Sequence, residues 1–80
     1  MEQITVFGTV NCMQCKMVGK IMDREGIDYK YINIDEDQEA REKLSLFGFK
    51  SVPVTMVERP GEPADFIQGF RPDEIKKFKK

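Results

Sequence analysis

The chain has no histidine, only two cysteines and no excess of either charge, with 13 basic residues against 14 acidic ones in 80 positions. Each absence removes a class of function. Nucleic-acid binding usually needs a basic patch well in excess of the acids, and a net charge of −1 argues against one. No apolar run approaches the roughly 18 residues of a membrane span. Met1-Glu2-Gln3 lacks the basic start and apolar stretch of a secretion signal, so a cytoplasmic address is expected. Zinc takes four ligands, and a chain with two cysteines and no histidine offers half a site. Repeats, linkers and low-complexity segments are missing too, so residues 1–80 read as a single domain. A domain of this size buries only about 60% of its unfolded surface. The remaining composition, 40% hydrophobic and 34% charged, is that of an ordinary soluble globular protein.

What is present is a regular alternation of elements. Residues 3–7, Gln-Ile-Thr-Val-Phe, are rich in β-branched and aromatic side chains and predict a strand. A helix is expected over 13–25, because Met13, Met17, Val18, Ile21 and Met22 recur every three or four positions, with Gly26 placed as its C-terminal cap. Residues 29–34 alternate as a strand does. A second helix is expected over 35–47, opening on Asp35, Glu36 and Asp37, with Ala40, Leu44 and Phe47 as its apolar stripe and Gly48 after its last turn. Residues 54–58 and 64–68 predict two strands around a turn at Arg59-Pro60-Gly61-Glu62-Pro63. A third helix over 72–79 starts on Pro72, and Lys76, Lys77, Lys79 and Lys80 complement its C-terminal end. The order β-α-β-α-β-β-α implies an α/β fold: a parallel pair joined through a helix, a terminal antiparallel hairpin, and one four-stranded mixed sheet. The five methionines read mainly as core filler, apart from Met13.

Cys12 and Cys15 lie three positions apart, where the first strand gives way to the first helix. A disulfide closing so short a loop contributes about 2 kcal/mol by chain entropy, against about 3 for a 15-residue loop. It would also join residues that are already neighbours. The pair therefore reads as chemical rather than structural. The thiolate is the reactive form of cysteine, and an unperturbed thiol is only a few per cent thiolate at neutral pH. A helix N-terminus favours an anion, so Cys12 is the expected nucleophile, with Lys16 and Lys20 adding positive charge nearby. Cys15, one turn later and facing inward, is the expected resolving thiol, and the two would form a redox-active disulfide. Met13 and Gln14 between them should be partly exposed. Two rival readings remain: a pair of inert buried thiols, and a dimer whose four thiolates hold zinc or an iron–sulfur cluster.

Two further segments stand out. Val52-Pro53 precedes the third strand, where proline is tolerated; a cis bond there would face the dithiol and let the Val52 backbone pair with an extended peptide. Gly69-Phe70-Arg71-Pro72-Asp73 reads either as a plain loop before a helix or as a recognition turn carrying Phe70 and Arg71.

These residues together resemble the glutaredoxin-like NrdH-redoxins of the thioredoxin superfamily. The resemblance rests on Ile4-Thr5-Val6-Phe7, Cys12-Met13-Gln14-Cys15, Val52-Pro53-Val54 and Gly69-Phe70-Arg71-Pro72-Asp73, and covers nearly the whole chain. Ordinary glutaredoxins have Cys-Pro-Tyr-Cys and a Gly-Gly loop instead. The resemblance implies a thioredoxin/glutaredoxin-like fold with Val52-Pro53 cis, and a partner surface of Met13, Gln14, Val52, Pro53, Gly69, Phe70 and Arg71. It implies electron flow from NADPH through thioredoxin reductase to a class Ib ribonucleotide reductase, with no cofactor or metal bound to the chain itself. A carrier that meets two partners in turn is expected to be a monomer. The family commonly carries Trp-Ser before Gly-Phe-Arg-Pro-Asp, whereas Ile67-Gln68 stand here, so no recognition role is carried over to Ile67. The alternatives are a glutathione-dependent glutaredoxin, the dimeric metal carrier and a redox-inert interaction module. Glutathione is disfavoured because Pro72 removes an N–H donor at the last helix and Phe70 fills space a glycine would leave.

Overall fold

The computed structural model describes residues 3–77. Its elements are β1 (Gln3–Gly8), α1 (Met13–Arg24), β2 (Lys30–Asn33), α2 (Gln38–Leu46), β3 (Val54–Glu58), β4 (Asp65–Gln68) and α3 (Pro72–Lys76). The strands form one mixed sheet in the order β2-β1-β3-β4. β1 pairs with β2 in parallel, Val6 opposite Tyr31, and with β3 antiparallel, Gln3 opposite Glu58. β3 and β4 form the expected antiparallel hairpin, its turn at the end of the sheet where β1 begins.

The period-2 pleat sorts the core onto two faces. Ile4 and Val6 of β1 join Val57, Val18, Met22, Ile27 and Ile75 on one side. Phe7 joins Val54, Met56, Ala40 and Leu44 on the other. Strands covered on both sides read as continuous apolar runs rather than alternating ones. β1 is accordingly buried from Ile4 to Gly8.

Both long helices end in the same way. Ile27 N–H bonds to the Met22 carbonyl at 2.9 Å around Gly26 (φ 70°), and Phe49 N–H bonds to the Leu44 carbonyl at 2.9 Å around Gly48 (φ 84°). This is the left-handed C-terminal closure that only glycine adopts without strain, with the flanking apolar residue returned to the core.

Three expectations are corrected. α2 starts at Gln38 rather than Asp35, because Asn33 gathers the intervening residues into a turn. Its side chain accepts the Asp35 N–H at 2.9 Å, and its carbonyl accepts the Glu36 and Asp37 N–H groups at 3.1 Å. Asp37 then caps the helix, accepting the Ala40 N–H at 3.0 Å. Met17 and Phe47 are 39% and 54% exposed rather than core; the Phe47 ring instead lies 5.0 Å from that of Phe66. Among the described residues, Met22 and Met56 are the buried methionines. The last helix, α3, ends at Lys76, with Lys77 as its C-cap paired to Glu74 at 3.4 Å, while residues 78–80, with Lys79 and Lys80, lie outside the described residues.

α3 is short, and its hold on the body runs through Ile75, which is fully buried against α1 and the sheet. Ile75→Ala should lower the unfolding free energy by about 2–5 kcal/mol in urea titrations. A loss below about 1 kcal/mol would mean that α3 is not packed as described.

Candidate active site

Cys12 is the N-cap of α1, in extended backbone conformation, and its sulfur accepts the Cys15 N–H at 3.2 Å. The first N–H groups of a helix have no partner within it, so a sulfur placed there replaces the usual capping oxygen. Such a bond strengthens when the acceptor carries charge. Cys12 is half-buried, whereas Cys15 is fully buried one turn on. Both are free thiols. Met13 is 72% exposed and Gln14 is exposed, and the two bridge the cysteines at the surface.

Burial pushes the Cys15 thiol from 9.0 up to about 11, and its hydrogen bond to Cys12 adds to the rise. Hydrogen bonds from the Thr9 backbone and the Tyr31 side chain act the other way. The two sulfurs are thus unlike: one on a helix start near solvent, the other enclosed and kept protonated. That asymmetry is what a nucleophile and a resolving thiol require.

The Val52–Pro53 peptide bond is cis, Pro53 is buried and Val52 is half-buried. The Pro53 carbonyl accepts the Gly69 N–H at 2.8 Å, so the proline loop and the glycine turn are joined directly. Phe70 is half-buried, with its ring against the core that holds Val18 and Ile75. Arg71 is exposed and lines a separate open cleft with Phe49, Phe66, Gln68 and Glu74.

Sequence reading misses Gly8, Thr9 and Tyr31. A Cβ on Gly8 would collide with the Tyr31 hydroxyl and stand 2.8 Å from the Cys15 sulfur. The Tyr31 hydroxyl donates to the Thr9 carbonyl at 2.9 Å. Burial pushes the Tyr31 phenol from 10.0 up to about 12, with Cys15 the next cause. A glycine at the end of a strand, just before a cysteine pair, is the signal that could have marked this close approach. Among the described residues, no group of three or more His, Cys, Asp or Glu side chains is arranged to hold a metal ion, and no helix is long and apolar enough to cross a membrane.

Comparison with known proteins gives a consistent picture. The family model for glutaredoxin matches residues 4–59. A glutaredoxin-like protein NrdH of Lactococcus lactis subsp. cremoris is 43% identical over 76 residues, which cover 94% of this chain and 97% of that one. The glutaredoxin-like protein NrdH of Escherichia coli K12 is 35% identical over 76 residues, covering 95% and 88%. The solved structure of NrdH-redoxin from Escherichia coli, described as having a thioredoxin-like activity profile, superposes with a TM-score of 0.79 at 35% identity over 94% of this chain and 92% of that one.

Two outcomes test the asymmetry. Iodoacetamide at about pH 8 should add one group quickly, at Cys12, and a second far more slowly; equal rates by mass spectrometry would refute it. The folded protein holds the Cys15 proton to about 11 where the unfolded chain releases it near 9.0, so it binds more protons between those values. That contribution is fully present below 9.0 and lost as the pH rises through 11, with Tyr31 acting in the same direction slightly higher. The reduced protein should therefore unfold at lower urea at about pH 11 than at about pH 8, and Cys15→Ser should weaken the dependence. An identical pH dependence in the variant would contradict this.

Proposed function

Because this chain belongs to the glutaredoxin family and is a thiol–disulfide oxidoreductase with a thioredoxin-like fold, we propose that it is a dithiol electron carrier of the NrdH type. It takes electrons from NADPH through thioredoxin reductase and passes them to protein disulfides, a class Ib ribonucleotide reductase foremost. It works in the cytoplasm as a monomeric single domain with no bound cofactor or metal.

The observation that carries this reading is the pairing of a half-buried sulfur on the start of α1 with a fully buried one a turn later. Cys12 attacks a partner disulfide and forms a mixed disulfide. Cys15 then attacks the Cys12 sulfur and expels the partner as a thiolate, and the reductase later returns two electrons to the Cys12–Cys15 disulfide. Exposed Val10, on the cleft that Cys15 lines, and Met13, between the cysteines, give the site apolar surface suited to a protein rather than a small polar peptide. Val52 and Pro53 support an extended partner segment, and Gly69, Phe70 and Arg71 extend the contact region.

Glutathione is the disfavoured donor. A tripeptide carboxylate would need free N–H groups around the start of α3. There the Gly69 N–H is committed to Pro53, Pro72 has none, and Asp73 and Glu74 place negative charge in the first turn. NADPH consumption with a disulfide substrate should therefore proceed with thioredoxin reductase and be at least about tenfold slower with glutathione and glutathione reductase. Cys15→Ser should trap the mixed disulfide, and Cys12→Ser should abolish turnover. Efficient turnover with glutathione alone would overturn the choice of donor, and an active Cys12→Ser protein would overturn the assignment of roles.

A further inference from the structure

The resolving step sets a physical problem that the dithiol pair does not solve by itself. Cys15 must become a thiolate to attack, yet it has no exposed surface, and burial penalises the anion. Tying up Cys12 in a mixed disulfide removes the hydrogen bond and charge with which it raises the Cys15 thiol, but burial, the largest cause, remains. Help must come from what surrounds the buried sulfur.

Cys15 forms the floor of an open cleft lined also by Lys16, Lys20, Asp23, Tyr29 and Tyr31. The two lysines are exposed, and solvent screens their charge. Asp23 is engaged with the Tyr29 phenol and shares in raising it, after burial. β1 contributes Gly8, which has no side chain, and the loop contributes the Thr9 backbone. Beside the Thr9 backbone, the Tyr31 hydroxyl is therefore the uncharged side-chain donor at the sulfur. It and the Cys15 Sγ both crowd the space that a Gly8 side chain would occupy. The parallel register places Tyr31 opposite Val6, two residues from Gly8 and on the face of the sheet that α1 covers.

We propose that Tyr31 serves the resolving step as a hydrogen-bond donor: its O–H, resting on the Thr9 carbonyl in the reduced protein, turns to the Cys15 sulfur as that sulfur becomes an anion. This rests on the dithiol reading and adds to it a residue outside the cysteine motif. Cys15 gives its proton to a solvent base through the cleft. Its thiolate attacks the Cys12 sulfur, the Cys12–Cys15 bond forms, and the bond from Cys12 to the partner breaks. The partner sulfur leaves with the electron pair and takes a proton from water. Two electrons pass from the dithiol to the partner. A rotating hydroxyl suits this sequence, because it satisfies a carbonyl before the step and a thiolate during it. Removing it leaves the Thr9 backbone hydrogen bond as the remaining stabiliser of the anion.

The test is a stopped-flow reaction with dithiobis-nitrobenzoate, an aromatic disulfide that releases a yellow thiolate. The first equivalent appears when Cys12 attacks, the second when Cys15 displaces the adduct. In Tyr31→Phe the first phase should stay within about twofold of wild type. The second should slow about tenfold near pH 7, and its pH midpoint should move up by about one unit. An unchanged second phase and midpoint would overturn the proposal. Equal slowing of both phases would overturn it as well, by showing that Tyr31 acts through packing. A wild-type protein that releases only one equivalent would instead refute the dithiol reading, and the role of Tyr31 with it.

Discussion

The hydrogen bond from the Cys15 N–H to the Cys12 sulfur decides where α1 begins, and most of the chemistry follows from that starting point. A helix that began one residue earlier would carry Cys12 inside its first turn, with no free N–H aimed at the sulfur. One that began three residues later would leave Cys15 outside its first turn. The cap assigns the two thiols to different environments, one at the rim and one beneath the helix. Two cysteines identical in covalent structure thereby become chemically distinct.

The cap depends in turn on how closely the helix sits on the sheet. β1 ends in Gly8, and the missing side chain is what lets the Cys15 sulfur and the Tyr31 hydroxyl share the space above the strand. β2 lies beside β1 in parallel with Tyr31 opposite Val6, two residues before Gly8 on the same face, and its hydroxyl reaches the space above Gly8. The contact at the buried sulfur is thus a product of strand order. It joins residues 8, 15 and 31, which no local motif links.

That distinction also explains what was legible in the sequence. The order of elements, the two glycine-closed helix ends and the junction carrying the cysteines all depend on neighbours in the chain, and local patterning expresses them. The start of α2 is not legible locally because acidic residues suit both a first turn and a capped turn before it, and Asn33 decides between them. Met17 and Phe47 follow the helical period yet stay exposed; Phe47, at the C-cap of α2, sets its ring against Phe66 instead of entering the core. Tyr31 was invisible as a site residue because alternation marks it as an ordinary strand position. Only the parallel register brings it to Cys15.

The antiparallel pairing of Gln3 with Glu58 sends the β3–β4 turn out of the opposite end of the sheet from Gly8 and the cysteines. The molecule therefore has two poles, a reactive one and a silent one. At the silent pole the chain passes through Pro60 and Gly61 in the open, and the Arg59 guanidinium closes on Asp65 at 2.9 Å. Lengthening such a turn costs little, since closure entropy grows only slowly with loop length. Sequence drift, fusion or attachment at that pole leaves the reacting sulfurs in the same field, so the fold carries a built-in handle far from its chemistry.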